Sequence, residues 1–330
     1  MSNISKLLVE QFDYFEMIPK PQTSNLVHLY ADYVELTALV KNQEIFTVAD
    51  FIHRLSSNDV KLVDLDQENN DDSSAAESDH VARSAQTVFS ILKNRKELYA
   101  ESYPFQVSSN SINLLETTSI QGKRKIYLTL LMCANLNYFN KLQPTLTADF
   151  EQVSYEALKN FMSEDSCVRQ FGKNSDYQGT AQEKILSLAA DMMNIDLVGK
   201  EFNKIRGTQE RGLDIVGWYP FADQYSNFLS IFGQCSCGKN WCGKLNETRR
   251  FENYFLFEKL NPIHALFVPF AMFSSALVSE GDLFQSDELN NVLFFERLRI
   301  LENIEGTEFF DSLDSNTIVS FVVAYEEDIV

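Results

Sequence analysis

Between Arg211 and Leu245 the chain reads RGLDIVGWYPFADQYSNFLSIFGQCSCGKNWCGKL, and most residue types able to do chemistry crowd into it. Asp214 interrupts one apolar run and Gln234 another, and Lys239 and Lys244 follow close behind. A carboxylate and an amide carbonyl are hard oxygen donors, suited to a divalent cation such as Mg²⁺ or Mn²⁺. An ammonium group beside them counters charge growing on a phosphate. Together these are the parts of a metal-assisted phosphodiester cleavage site. Asp214 is the strongest candidate, because an acid within an apolar strand is costly to bury unless it is paired or metal-bound. Gln234 gains weight only from its pairing with Asp214.

Three elements must position these groups. In GLDIVGW, side-chain alternation puts Leu213 and Ile215 on one face and Asp214 and Val216 on the other. In NFLSIFGQCSCG, Phe228, Phe232, Gln234 and Ser236 share a face, opposite Cys235 and Cys237. Pro220, Asp223, Ser226 and Asn227 supply the connection, so a hairpin-like antiparallel pair is expected, with Asp214 and Gln234 facing one pocket. Gly238 ends the second strand and Asn240 is a candidate cap for a helix from Trp241. Upstream, Thr180-x-x-Glu183 opens a helical run through Ile185, Leu188, Ala189 and Met192. Glu183 reads equally as a capping-box residue and as a third carboxylate of the site.

The order helix Glu, strand Asp, strand Gln resembles the PD-(D/E)xK superfamily of restriction-endonuclease-like nucleases. The likeness is to bacterial variants with elements matching GLDIVGW, GQC and GKNWCGK, and it covers about residues 175 to 250. It implies an α/β core, a small mixed sheet flanked by helices. It implies that Asp214 is the principal metal ligand, with Gln234, the Cys235 carbonyl and Glu183 completing the shell of Mg²⁺ or Mn²⁺. It implies a lysine that positions or activates the attacking water. Ser236 stands where the strand lysine belongs, so that role falls to Lys244 or to Lys239, with Lys244 favoured. The resemblance implies a metal-dependent DNA endonuclease, an effector of bacterial anti-phage defence with a co-encoded partner, an ATPase or a DNA sensor. The alternative is a degenerate nuclease fold that binds nucleic acid or protein without cutting.

Charge bears on that alternative. The chain carries 47 acids against 28 Lys and Arg, a formal net charge of -19, which disfavours indiscriminate DNA binding. A locally basic island runs from Lys200 to Arg250, and Arg206, Arg211, Lys239, Arg249 and Arg250 are the candidate DNA contacts. The five cysteines include a C-x-C-x₄-C cluster at 235, 237 and 242 with no fourth ligand near it, so structural zinc is not expected. An odd cysteine count and an opening MSNISKLLVEQFDYF without a signal-peptide pattern point to a reducing, cytoplasmic setting. The longest apolar stretch, 265 to 277, is too short to span a bilayer.

The remaining sequence divides near residue 150. Residues 1 to 150 read as a mostly helical partner or regulatory region containing an acidic, Ser-rich loop from 64 to 80. FTVADFIHRL has a Thr47 cap, and KIYLTLLMCANLNYF reads as a buried helix. Residues 151 to 330 read as the nuclease domain, with HALFVPFAMF as a buried strand. FQSDELNNVLFFERLRIL reads as a helix capped by Ser286. His264 is expected to be a satisfied core residue.

Overall fold

The computed structural model describes residues 27–40, 45–57, 74–192, 195–205, 212–223, 227–257, 259–272 and 289–324. In chain order the elements are α1 (Val27–Val40), β1 (Phe46–Thr47), α2 (Val48–Ser57), α3 (Ser74–Tyr99), β2 (Phe105–Val107) and β3 (Ser111–Leu114). Next come α4 (Lys123–Ala134), α5 (Gln143–Met162), β4 (Cys167–Gln170), α6 (Ala181–Asp191) and α7 (Gly199–Phe202). Then follow β5 (Ile215–Trp218), β6 (Ser230–Cys235), β7 (Ile263–Phe267), β8 (Val292–Phe295), α8 (Arg297–Glu302) and α9 (Asp314–Val323). The chain divides into two compact units. One comprises Met1–Leu146, Phe270–Gly281 and Thr307–Val330; the other comprises Thr147–Pro269 and Asp282–Gly306.

The first unit packs helices beside a three-stranded antiparallel sheet of order β1-β3-β2. The expected Thr47 cap is present: the Thr47 hydroxyl accepts the Asp50 N–H at 3.2 Å, and Asp50 Oδ2 accepts the Thr47 N–H at 2.8 Å. From Ile126 to its end α4 is buried throughout, as its apolar run requires. Helix α1 is buried too, although it carries Asp32 and Glu35. Both acids pair with the fully buried Arg95 guanidinium, at 2.7 and 3.0 Å, and the Tyr103 and Tyr127 hydroxyls donate to Glu35. Pairing is what permits those charges in a core. Of the acidic stretch expected as a loop, residues 74–80 form the first turns of α3; residues 64–73 lie outside the described residues.

The second unit is α/β. Its sheet has order β4-β5-β6-β7-β8, antiparallel from β4 to β6 and parallel from β6 to β8. Helix α5 crosses one face, where a Cβ on Gly217 would collide with the Met162 sulfur and touch Leu158. On the other face Val216, Trp218 and Phe232 join Ile185 and Leu188 of α6 and Phe251 and Phe255 in one core. Val216 and Gly217 thus face opposite layers, as strand alternation demands.

Two local expectations change. The run after Asn291 is a strand, β8, parallel to β7, and only Arg297–Glu302 is helical. VLFF is a short apolar run that periodicity cannot assign, and Glu296 ends it by accepting the N–H groups of Leu298 and Arg299. Ser286 lies outside the described residues. After Asn240 the chain forms a 3-10 turn, Trp241–Lys244, instead of a helix, and Asn240 makes no side-chain cap. Gly243 within that turn is a poor helix former.

Candidate carboxylate site at the end of the central strands

Regular pairing of β5 with β6 ends at Ile215 and Gly233. One residue earlier the ladder breaks. The Asp214 N–H donates to the Gly233 carbonyl at 2.9 Å, while its own carbonyl accepts the N–H groups of Phe171 and Gly172 at 2.7 and 3.0 Å. The Asp214 carboxylate then replaces a backbone acceptor, taking the Cys235 N–H on Oδ2 at 2.7 Å. A charged acceptor at that distance makes a strong hydrogen bond.

A second acid meets Asp214 there. Glu151, on α5, accepts the Lys173 N–H on Oε2 at 2.9 Å. A Cβ built on Gly172 would lie 2.7 Å from Asp214 Oδ1 and 2.9 Å from Glu151 Oε2, so both oxygens converge on the space above that glycine. Two like charges turned on one space favour a cation between them or a proton on one. Nothing in the sequence around Glu151 marks it: an acid on a helix is ordinary, and only the tertiary approach through Gly172 reveals it.

Glu183 is placed elsewhere. Its Oε2 accepts the Thr180 N–H at 2.7 Å, and its own N–H donates to the Thr180 hydroxyl at 3.3 Å. Both halves of the capping box at the start of α6 are present, and Glu183 is exposed. Hydrogen bonds to it from the Thr180 backbone N–H and then the Thr180 side chain hold its carboxyl below the usual range. The acid brought to Asp214 is therefore Glu151, not Glu183.

Gln234 lies beside Asp214 in the neighbouring strand, but it turns to a different partner. Its Nε2 donates to Glu247 Oε2 at 2.8 Å, and the other oxygen of Glu247 accepts the Lys244 ammonium at 3.0 Å. A carboxylate only accepts, so the amide must present its nitrogen to it. The Gln234 carbonyl oxygen is left buried without a hydrogen-bond partner among the described residues, on a side chain only 5% exposed. Burial works against the Glu247 charge, but hydrogen bonds from Gln234 and Lys244, with the Lys244 and Arg250 charges, bring its pKa below the usual value. Glu247, like Glu151, escapes sequence reading: three residues after Lys244, it looks like a surface ion pair.

The other candidates fall as follows. Lys244 is exposed and engaged by Glu247; Lys239 is half-buried. Ser236 is buried, and its N–H donates to the Phe267 carbonyl. Burial, then the Asp214 and Glu151 charges, push the Cys235 thiol well above its ordinary pKa. That disfavours a thiolate and with it soft-metal chemistry at this position; none of the five cysteines forms a disulfide. Arg249 and Arg250 are half-buried, and Arg249 donates to Asn246 at 2.9 Å. Arg206 and Arg211 lie outside the described residues. His264 is 3% exposed and satisfied on both nitrogens, by Glu252 at 2.6 Å and Thr248 at 2.9 Å. Its Nε2 carries the hydrogen, because a carboxylate cannot donate, and Nδ1 accepts from the threonine.

Among the described residues no group of three or more His, Cys, Asp or Glu side chains is placed to hold a metal ion. The donors that do fit a hard cation are the Asp214 and Glu151 carboxylates that converge over Gly172; Gln234 alternates with Cys235 along the strand and bonds Glu247 instead. No described helix is long and apolar enough to cross a membrane. No protein-family model matches the chain, and no curated protein or solved structure is significantly similar to it.

Proposed function

We propose that the second unit is a metal-dependent phosphodiesterase that cuts DNA. The convergence of Asp214 and Glu151 over Gly172 carries this reading. In place of the expected Glu183, Glu151 on α5 would be the helix acid of a restriction-endonuclease-like core, ahead of the strand acid Asp214. The mixed sheet flanked by helices suits that core. Mg²⁺ or Mn²⁺ bound between the carboxylates would counter phosphate charge and acidify a water molecule. Asp214 and Glu151 would hold the cation, and the Cys235 N–H fixes the Asp214 carboxylate in place. The Lys244 ammonium would meet the negative phosphate, with Lys239 as the other candidate for that role.

The wider setting belongs to the same proposal: an effector of bacterial anti-phage defence, held in check by a co-encoded ATPase or DNA sensor that contacts residues 1 to 150. A second reading, a nuclease fold that binds without cutting, is favoured by two observations: Ser236 stands at the position expected of the lysine, and Lys244 is already tied to Glu247. Incubating plasmid DNA with the protein and Mn²⁺, alone and with its genomic neighbour's product, separates the two. Mn²⁺-dependent cutting in either arm supports the enzyme; DNA retention with no cutting in both supports the second reading.

A further inference from the structure

We infer that a cleft in the first unit binds a small organic monoanion with an apolar body, the negative group resting on the Lys125 ammonium. The cleft holds about 480 Å³, within the roughly 300–1,000 Å³ of small-molecule sites. Lys125, in the first turn of α4, lines it together with side chains of the 3-10 turn Glu308–Ser312 and of α9. All of the lining belongs to the first unit, whereas the carboxylate pair belongs to the second, so failure of one site leaves the other untouched.

Lys125 is the group that calls for a ligand. Its ammonium donates to Asn316 Oδ1 at 2.8 Å and to the Ser320 hydroxyl at 3.0 Å, both on α9 and both neutral. An ammonium has three hydrogens, so these two bonds fix its position and leave one donor and the whole charge. Among the described residues no carboxylate lies within ion-pair reach of it. In a chain with 47 acids against 28 Lys and Arg, a half-buried lysine held only by neutral oxygens is placed for an anion from outside. The rest of the lining sets the kind of anion. Ile120, Phe310 and Val319 are buried apolar side chains that an apolar body can cover. Asp311 lines the cleft as well, exposed and without a hydrogen bond or ion pair among the described residues. Its charge opposes a second negative charge on the ligand. A carboxylate or sulfonate therefore fits better than a phosphate dianion.

Anilinonaphthalene sulfonate, a fluorescent aromatic monoanion, is the probe. Fluorescence titrations and thermal melts would be run on the full chain and on Lys125→Met, Lys125→Arg and Asp311→Asn. The parent should bind one probe per chain and saturate. Lys125→Met keeps an apolar stem and removes the charge, so it should bind about 10-fold more weakly or worse, the loss expected of a hydrogen bond to a charged group. Lys125→Arg keeps the charge and should bind like the parent. Asp311→Asn removes the opposing charge and should bind the probe more tightly with an unchanged melt. That variant decides the matter if Lys125→Met fails to fold, because Asp311 makes no contact that the fold could lose. Probe held only on exposed apolar surface would bind in several copies without saturating and would ignore both charges. Parental affinity in a folded Lys125→Met, no gain in Asp311→Asn, or no saturable binding by the parent overturns the inference.

Discussion

Asp214 does two jobs that substitution can separate. It carries charge toward the space above Gly172, and it accepts the Cys235 N–H. Alanine would remove both and strand a backbone donor, at about 1–3 kcal/mol. Asparagine keeps an acceptor and removes the charge. Asp214→Asn should therefore abolish cleavage while melting close to the parent; loss of activity matched by collapse of the melt would mean a structural role only. Glu151 and Glu183 make a second contrast. Glu151→Gln should abolish cleavage, whereas Glu183→Ala should leave it intact and only loosen the start of α6. Equal loss in the two would reinstate Glu183 as a site residue. His264 supplies a pH test. Burial lowers its pKa from 6.5, partly offset by Glu252. A depressed folded-state value means the unfolded chain takes up the proton first as pH falls. The stability His264 confers is thus complete above the unfolded pKa and is lost as pH drops below about 6.5. Denaturation midpoints between pH 7 and 5 should fall less steeply in His264→Gln; parallel curves would contradict this.

At the level of elements, the glycines of the site are the informative positions. Gly172→Ala would push a methyl into both converging carboxylates. Overpacking of this kind costs about 1–3 kcal/mol, and here it should cost more in Mn²⁺ affinity than in stability. An alanine variant with parental Mn²⁺ affinity would show that the space above Gly172 is not the cation site. Much of the scaffold could be read from sequence. Alternation in GLDIVGW and NFLSIFGQC marked two strands, and they pair antiparallel as expected. Thr180 and Glu183 marked a helix start, and the capping box is complete. Less of the site was legible, for two physical reasons. Glu151 and Glu247 have unremarkable local patterns and gain meaning only through partners far along the chain or across a turn. The break of the ladder at Asp214 is likewise a tertiary event: strand alternation assigns Asp214 to Gln234's face, but Asp214 bonds Cys235 and Gln234 bonds Glu247. The helix expected over VLFFERLRIL failed because four apolar residues fit a buried parallel strand as well as a helix.

For the whole molecule, charge is the dominant property. At a formal net charge of -19, few phosphates can be neutralised, so the isolated chain should hold duplex DNA weakly at physiological salt. Low activity alone and a stable complex with a co-encoded protein are the expected outcome, and size-exclusion chromatography of the co-expressed pair tests it. Vigorous cutting of any duplex by the lone chain would contradict that restraint. A catalytic cation held by Asp214 and Glu151 should show itself in Mn²⁺-dependent nicking of supercoiled plasmid at high protein concentration, with and without the partner. Nicking is expected of the parent and of Glu183→Ala, and none of Asp214→Asn or Glu151→Gln. Parental nicking by Asp214→Asn, or no nicking by the parent in either arm, would contradict it.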